Sequence, residues 1–168
     1  MSTPPGVNPD DWEVWRDYFR GARELVAALD RRLQDDAGIS HPEYLVILSL
    51  WQAPEHRLRT GELAARLTWE KSRVSHQVSR MEARGLVERR ECDTDLRGVW
   101  VTLTDEGARL FHAASDDHVQ AIREWFLDPL DEEEKVVIAR VSQRMRALLG
   151  TAHDALPPEA EAQDGDAA

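Results

Sequence analysis

The sequence predicts a mainly α-helical protein with a small β-hairpin, an α+β class, and three observations lead to this prediction. Apolar residues recur at helical spacing in long segments at both ends of the chain. A central segment, residues 71–91, holds a short amphipathic helix that stops at a glycine. Beyond that glycine, apolar and polar residues alternate in two short stretches, as they do in paired strands.

Composition limits the class of protein. The length of 168 residues suits one domain with a proper core. No stretch approaches the ~18 apolar residues of a membrane span, and the first residues lack the pattern of a signal peptide. A single cysteine excludes an internal disulfide and fits a reducing compartment. We therefore expect a soluble, cytoplasmic protein with no membrane partner.

The N-terminal segment predicts a flexible arm, residues 1–8, followed by a long helix over residues 9–36. Asn8 is a good N-cap, Pro9 fits the first helical position, and Gly38 ends the helix. The near-heptad apolar stripe is longer than a lone globular helix needs. Its members are Trp12, Trp15, Phe19, Ala22, Val26, Leu29 and Leu33.

The next segment predicts two further helices separated by a short strand. Ser40 and Glu43 form a capping box that opens the first of these helices, which ends before Pro54. Residues 57–59 are predicted to form a small strand. Thr60 is the expected cap of a helix over residues 61–67, whose apolar residues face a partner helix.

Residues 71–83 predict a helix with two different faces. Val74, Val78 and Met81 lie on one stripe and should be buried. The opposite face holds hydroxyl, imidazole and guanidinium groups without a carboxylate, the donors that read base edges and bind phosphates. The residues of this face are Ser72, Arg73, Ser75, His76, Ser79 and Arg80.

The segment after Gly85 predicts a hairpin. Residues 86–91 and 99–104 are the expected strands, and Cys92–Gly98 is the expected polar tip, which carries Arg97. A short helix, a recognition-like helix and a hairpin with an arginine at its tip make up a winged helix-turn-helix. The expected DNA-binding head is about residues 55–104.

The C-terminal part predicts two more amphipathic helices within residues 105–153. Thr104 caps the first of them, Asp128-Pro129 interrupts the helical pattern, and Asp131 starts the second. The inward positions of the first helix are expected to be Leu110, Phe111, Ala114, His118, Ile122 and Trp125. We expect one winged-helix domain over residues 9–155 and a disordered acidic tail over 156–168.

The helices outside the head have apolar stripes too large to bury within a small winged helix. An intertwined homodimer, in which the helices of about 9–36 and 105–153 exchange packing, is the economical solution. Two symmetric recognition helices predict a pseudo-palindromic DNA site with half-site centres ~34–36 Å apart.

The net charge of −11 argues at first against a nucleic-acid partner. The charge is segregated, however. Residues 57–109 hold 11 Lys and Arg against 9 Asp and Glu, a net of +2, while the remainder holds 10 against 23, a net of −13. Distant carboxylates are largely screened beyond a Debye length of about 8 Å. The acidity therefore does not exclude DNA.

Several motifs at matching spacings resemble the MarR family of bacterial transcription regulators. They are Glu62-Leu-Ala64, Val74-Ser75, Arg84-Gly-Leu-Val-Glu-Arg89, Asp95-Leu-Arg97 and Val101-Thr-Leu-Thr-Asp-Glu-Gly107. The resemblance covers about residues 10–150 and implies a repressor of transcription that a small molecule releases from its operator. Two positions depart from the family pattern: Glu70 stands where Ser is frequent, and Trp69-Glu-Lys-Ser-Arg73 is an unusual lead-in.

The motifs and the resemblance assign the expected site residues. Arg97 is expected to enter the minor groove, and Asp95 to support the arginine or the wing. The full DNA-binding set is Lys71, Ser72, Arg73, Ser75, His76, Ser79, Arg80 and Arg97. Aromatic walls suit a small aromatic effector, and the candidate effector pocket is Trp15, Phe19, His41, Tyr44, Trp51 and Trp100, with core packing as the alternative role.

Other function classes are less well supported. We find no phosphate-binding glycine loop, nucleophile elbow or metal spacing, so we expect no enzyme, catalytic residue, metal or cofactor. Two alternatives stay open. One is a dimeric protein-interaction module that does not bind DNA, and the other is a thiol-based redox regulator that acts through Cys92.

Overall fold

The computed structural model describes residues 4–92 and 95–150, without the side chains of residues 91–92 and 95–98. The chain divides into two compact units, of which the first ends at Pro129 and the second begins at Leu130. The elements are α1 (Pro9–Ala37), α2 (His41–Trp51), a 3₁₀ turn (Pro54–His56), β1 (Arg57–Arg59), α3 (Thr60–Leu67), α4 (Lys71–Ala83), β2 (Val87–Cys92), β3 (Asp95–Leu103), α5 (Asp105–Ile122), a π-helical turn (Arg123–Leu127) and α6 (Glu132–Leu148).

Helix α1 begins and ends where the sequence predicts. The Asn8 side chain accepts a hydrogen bond from the backbone of Asp10 at 2.8 Å, and Gly38 takes a left-handed conformation at φ 65°. Only the C-terminal part of the stripe is buried within this chain, at Leu29 and Leu33. In the N-terminal part of the stripe Trp12 is half-buried, and the other residues, from Trp15 to Val26, are exposed.

Helix α2 opens with the predicted capping box and is tied to α4 by an ion pair. Glu43 accepts hydrogen bonds from the Ser40 backbone and hydroxyl, both at 2.8 Å. The Arg84 guanidinium donates to Glu43 at 2.6 Å and to the Gly38 carbonyl at 3.0 Å. Burial would raise the pKa of Glu43, but the bonds from Ser40 and the charge of Arg84 lower it overall. The carboxylate therefore links the start of α2 to the end of α4.

The sheet has the strand order β1-β3-β2 and is antiparallel throughout. The predicted third strand is present, with Leu58 opposite Val101. The predicted tip, Cys92–Gly98, was too long: β2 continues to Cys92, β3 begins at Asp95, and these two residues are paired. A register shift after Glu91 brings them opposite each other. Because Glu91 pairs with Val99 and Cys92 pairs with Asp95, the register shifts by three residues on β3, and the hairpin continues past the regular ladder.

The core lies where α2, α3, α4 and α5 meet the sheet. Val74, Val78 and Met81 of α4 have no exposed surface, as the helical stripe predicts. Gly85 takes φ 72° after α4, and the Leu86 amide donates to the Met81 carbonyl at 3.0 Å. This is the glycine-dependent helix end that the sequence predicts. The other large, fully buried side chains are Ile39, Val46, Ile47, Leu50, Leu63, Val87 and Val101.

The predicted role of Thr60 was wrong. The residue that precedes α3 is Arg59, whose backbone amide donates to the Glu62 carboxylate at 2.8 Å. The Thr60 hydroxyl instead donates to the Val99 carbonyl across the sheet at 3.5 Å. Pairing of β1 with β3 brings that carbonyl within reach. The Thr60 side chain therefore bonds to β3 and does not cap α3.

Helix α5 starts at the predicted cap, where the Thr104 hydroxyl accepts from the Gly107 amide at 3.0 Å. Phe111, Ala114 and His118 are buried, as predicted. Trp125 was predicted to face inward but is exposed. A π-helical turn replaces the last α-helical turn before Pro129, and this changes the direction in which the later side chains point.

The second unit contains α6, which begins with a capping box. The Asp131 side chain accepts from the Glu134 amide at 2.8 Å, and the Glu134 side chain accepts from the Asp131 amide at 2.9 Å. No residue of this described helix is buried. Val136, Val137, Val141 and Leu148 are exposed apolar residues on it. The predicted tail, residues 156–168, lies outside the described residues.

Candidate nucleic-acid interface

The outer face of α4 is the most distinctive surface of the head. Lys71, Ser72, Arg73, Ser75, His76, Ser79 and Arg80 are all exposed on it. The opposite face is buried in the core, so the helix cannot rotate about its axis without exposing Val74 and Val78. The core therefore fixes which α4 side chains point outward.

The N-terminus of α4 offers unpaired backbone donors. Glu70 occupies the N-cap position but makes no side-chain capping bond, and the first turn contains no acidic residue. The first amides of a helix carry partial positive charge and attract anions when no cap satisfies them. This end of α4 adds to the positive character of Lys71 and Arg73.

Trp69 holds one of the predicted contact residues in place. The Arg73 guanidinium lies 4.0 Å from the centroid of the Trp69 ring, one helical turn away. Because a cation over an aromatic face loses rotational freedom, Arg73 is partly ordered in the free protein. Trp69 is not in the predicted site set. The only sequence signal for it is the spacing of four residues between an aromatic residue and an arginine.

Ser79 and Arg80 are less free than the sequence suggests. The Ser79 hydroxyl donates to the Ser75 carbonyl at 3.0 Å and accepts from Arg89 of β2 at 2.8 Å. The Arg80 guanidinium donates to the side chain of Gln77, which is buried. Arg89 is also outside the predicted set. It ends the motif Arg84–Arg89, but that motif does not indicate its contact with Ser75, which is 14 residues away in the chain.

The tip of the wing is only partly described. The backbones of Asp95 and Arg97 belong to β3, and that of Cys92 belongs to β2. The predictions about their side chains concern atoms outside the described part of the structure, so Arg97, Asp95 and Cys92 remain expectations.

The structure divides the six candidate effector residues among three places. Trp15 and Phe19 stack on each other on α1, with ring centroids 5.2 Å apart. Trp100 lies in the sheet with the guanidinium of Arg57 4.8 Å from its ring. The remaining three, His41, Tyr44 and Trp51, join a cluster with Phe111 and His118 between α2 and α5.

The two histidines of that cluster are unusual. Nδ1 of His41 and Nδ1 of His118 are buried and have no hydrogen-bond partner among the described residues. Burial, followed by the nearby charge of His41, lowers the pKa of His118 to about 4. Burial also lowers the pKa of His41, although Asp30 opposes this effect. Both imidazoles are therefore neutral near pH 7.

The neutral state of His118 predicts acid-sensitive stability. The unfolded chain binds a proton at His118 below about pH 6.5, whereas the folded chain binds it only near pH 4. The free energy of unfolding should thus fall as the pH drops through this window, by roughly 3 kcal/mol at most from this residue. Urea unfolding at several pH values should show the loss in the wild type and a smaller loss in His118→Gln. His112→Gln, on the same helix, is the control. Equal pH slopes for all three proteins would contradict the prediction.

Within the described residues, no group of three or more His, Cys, Asp or Glu side chains is placed to hold a metal ion. None of the described helices has the length and apolarity needed to cross a membrane.

The fold and this surface define a class of protein. Helices α3 and α4 meet through a turn in which Thr68 takes φ 54°, and an antiparallel hairpin with a third short strand follows. An exposed, cationic second helix next to such a hairpin defines a winged helix-turn-helix protein.

Comparison with known proteins identifies the family. A sequence model of the MarR family matches residues 39–99. The crystal structure of Sco3205, a MarR family transcriptional regulator from Streptomyces coelicolor in complex with DNA, is similar, with a TM-score of 0.82 and 36% identity. That alignment covers 85% of this chain and 93% of Sco3205. The chain therefore belongs to the MarR family, and it is a transcriptional regulator.

Two curated relatives match shorter segments. The organic hydroperoxide resistance transcriptional regulator of Bacillus subtilis is 32% identical over 98 residues, which are 58% of this chain and 65% of that protein. The transcriptional repressor MprA of Escherichia coli is 29% identical over 70 residues, which are 42% of this chain and 40% of that protein. The chain thus spans less than two thirds of the length of these relatives. These family members are regulators, which confirms that the chain is not an enzyme.

Proposed function

We propose that this protein is a sequence-specific regulator that binds double-stranded DNA as a homodimer and represses transcription from a pseudo-palindromic operator. The observation that carries the proposal is the outer face of α4, where seven exposed side chains are cationic, imidazole or hydroxyl groups. The DNA complex of Sco3205 supports DNA binding, and the similarity to the transcriptional repressor MprA supports repression.

The side chains of α4 have distinct proposed roles. Ser72, Ser75 and His76 face outward from the first two turns, where a recognition helix meets base edges. Arg73 and Arg80 contact phosphates or guanine, since guanidinium groups bind both. Lys71 and the free amides of the first turn hold a phosphate. Ser79 has a structural role on this face, because its hydroxyl donates a hydrogen bond to the Ser75 carbonyl.

The wing supplies the second contact in this proposal. In this hairpin β2 and β3 stay paired as far as Cys92 and Asp95, beyond the residues of β3 that pair with β1. Arg97 enters the minor groove beside the half-site, where a narrow groove concentrates negative potential. Asp95 supports the arginine or the wing backbone.

The homodimer is supported by apolar surface that this chain leaves uncovered. On α1, Val14, Trp15, Tyr18, Phe19 and Val26 are 47% to 72% exposed, although they share the helix with buried Leu29. On α6, Val137, Val141 and Leu148 are likewise exposed. Isolated apolar residues are common at surfaces, but rows of them at helical spacing indicate a partner. A second copy of the chain offers matching rows by symmetry.

A small aromatic effector is the proposed signal. The cluster of His41, Tyr44 and Trp51 with Phe111 and His118 is aromatic, and it carries two buried imidazole nitrogens without partners. Those nitrogens could bind a polar group of a planar ligand. A ligand that prefers one spacing of the two heads would shift the dimer away from the DNA-binding state.

Selection of bound duplexes from a random library, followed by gel shift, tests the proposed function. We expect enrichment of an inverted repeat with half-site centres about one helical turn apart. The affinity should fall steeply with salt, with a slope near −0.9 for each phosphate contacted. The absence of any enrichment at low salt would contradict DNA binding and favour the protein-interaction alternative.

Substitutions in the wing and in α4 should affect DNA binding in different ways. Arg97→Ala should weaken binding to all duplexes roughly tenfold, because a minor-groove arginine reads shape more than sequence. His76→Ala should change the preferred base at one position of each half-site, because a base-edge contact discriminates by about 1–3 kcal/mol. Fluorescence anisotropy on the selected duplex and its single-base variants measures both effects. Undiminished binding by Arg97→Ala would remove the wing from the mechanism.

A further inference from the structure

Arg89, in the middle of β2, makes a dense set of contacts with α4. Its guanidinium donates to the Glu82 carboxylate at 2.6 Å, to the Ser75 carbonyl at 2.9 Å and to the Ser79 hydroxyl at 2.8 Å. Its backbone amide donates to the other oxygen of Glu82 at 3.1 Å. One strand residue thus contacts three α4 residues through four hydrogen bonds.

These contacts depend on the shape of the guanidinium as well as on its charge. The planar guanidinium addresses three acceptors that lie on two successive turns of α4, which its fixed fork of donors suits. The Arg89 side chain is only 28% exposed, so the pair with Glu82 is better shielded than an ordinary surface ion pair. Glu82 also balances the charge of Arg89, so this arginine adds little net charge to the surface.

The acceptors lie on the outward side of α4. Ser75 and Ser79 are both exposed, and the Ser79 hydroxyl also donates to the Ser75 carbonyl. Arg89 therefore reaches from the hairpin to the recognition face itself. Because Arg89 pairs with Val101 of β3, the same residue is also fixed within the sheet that carries the wing.

We propose that Arg89 is a positioning residue that sets the distance between the outer face of α4 and the wing. The proposal rests on the proposed function, in which α4 enters the major groove and the wing enters the adjacent minor groove. With Arg89 in place, both elements meet the duplex as one preorganised surface. Without it, the hairpin moves relative to α4, and the two contacts no longer fit one half-site together.

Three variants test the role of Arg89 in DNA binding. Arg89→Met keeps the aliphatic stem and removes the donors, and Arg89→Lys keeps the charge but loses the planar fork. Arg90→Met is the matched control, because Arg90 is the next residue of the same strand and its ion pair is with Glu88. We expect Arg89→Met and Arg89→Lys each to lower the affinity for the selected duplex at least roughly tenfold, since bonds to charged groups contribute on that scale.

The salt dependence separates positioning from direct contact. Loss of a phosphate contact would reduce the salt slope by about one unit, whereas loss of a positioning residue should leave the slope of Arg89→Met unchanged. Arg90→Met should bind within about threefold of the wild type, because it removes equal charge without touching α4. The proposal is overturned if Arg89→Lys binds like the wild type, if the slope falls by a unit, or if both methionine variants weaken binding equally.

Hydrogen exchange in the free protein tests the proposal without DNA. Amides of β2 should exchange faster in Arg89→Met than in the wild type, while those of α2 should not change. If the wild type binds no duplex but this difference is seen, the positioning role stands and the proposed function fails. If exchange in β2 is the same in both proteins, the positioning role is wrong even if the wild type binds DNA.

Discussion

Gly107→Ala is expected to lower the free energy of unfolding by about 3 kcal/mol or more. A Cβ at this position would lie 2.2 Å from the Leu86 carbonyl oxygen and 2.6 Å from Leu103 Cδ1. The carbonyl belongs to the backbone and cannot rotate away like a side chain. Intrinsic helix propensity would favour alanine by only about 1 kcal/mol. The clash therefore determines the sign.

The clash would disturb a junction on which the head depends. Leu86 directly follows Gly85 at the end of α4, and its carbonyl also accepts from the Thr104 amide at 3.2 Å. The Thr104 hydroxyl donates to the Gly85 carbonyl at 2.7 Å. The start of α5 and the end of α4 thus share one set of bonds. A displacement at Gly107 would move the recognition helix as well as lower stability.

Gly61→Ala is the matched control for this substitution. Gly61 also lies in the first turn of a helix, but a Cβ there would meet nothing within 4 Å. Urea unfolding should show Gly61→Ala unchanged or stabilised by up to about 1 kcal/mol. If the two variants had equal stabilities, close packing between Gly107 and Leu86 would not be a feature of the folded protein.

Ser72→Glu is expected to have opposite effects on stability and on DNA binding. Ser72 is the second residue of α4, whose first turn contains no acidic residue. A carboxylate there should stabilise the helix by about 0.3–1 kcal/mol through the helix dipole. The same carboxylate would face the phosphates of the duplex. Because like charges at an interface cost several kcal/mol, the affinity should fall roughly a hundredfold or more.

Ser72→Gln separates charge from size in this experiment. Glutamine has nearly the shape of glutamate without its charge, so we expect a much smaller loss of affinity and no gain in stability. Thermal unfolding and anisotropy titration on the same preparations measure the two effects. A Ser72→Glu protein that binds duplex DNA as well as the wild type would mean that this face of α4 does not meet DNA.

Local sequence patterns predicted the elements that local interactions decide. The caps at Asn8, Ser40 and Thr104 depend on residues two or three positions away, and all three are confirmed. The outward and inward faces of α4 follow from helical periodicity alone. The glycine at position 85 ends α4 because a left-handed residue is needed there. These features need no knowledge of the rest of the chain.

Features set by distant parts of the chain were missed. Thr60 bonds to Val99, 39 residues away, and only the pairing of β1 with β3 brings the two together. The hairpin is longer than predicted because a bulge after Glu91 changes its register. The predicted effector pocket combined six residues with aromatic rings. In the structure Trp15 lies on α1 and Trp100 lies in the sheet, so the two are in separate groups.

The candidate site shows the same division. The residues that face outward on α4 were predictable, whereas the residues that hold them in place were not. Trp69 left a weak signal in its spacing from Arg73. Arg89 ends one of the motifs of the family resemblance, but that motif does not show its contact with α4, which depends on where the sheet places β2. Support from a neighbouring element is visible only in three dimensions.

Methylation protection on the selected duplex tests most directly whether the outer face of α4 lies in the major groove. Dimethyl sulfate modifies guanine N7 in the major groove and adenine N3 in the minor groove, so it reports on the two grooves separately. We predict guanine protection in two segments about one helical turn apart, adenine protection beside each, and loss of the guanine protection with Ser72→Glu. Bound wild-type protein that leaves every guanine N7 reactive would contradict the account.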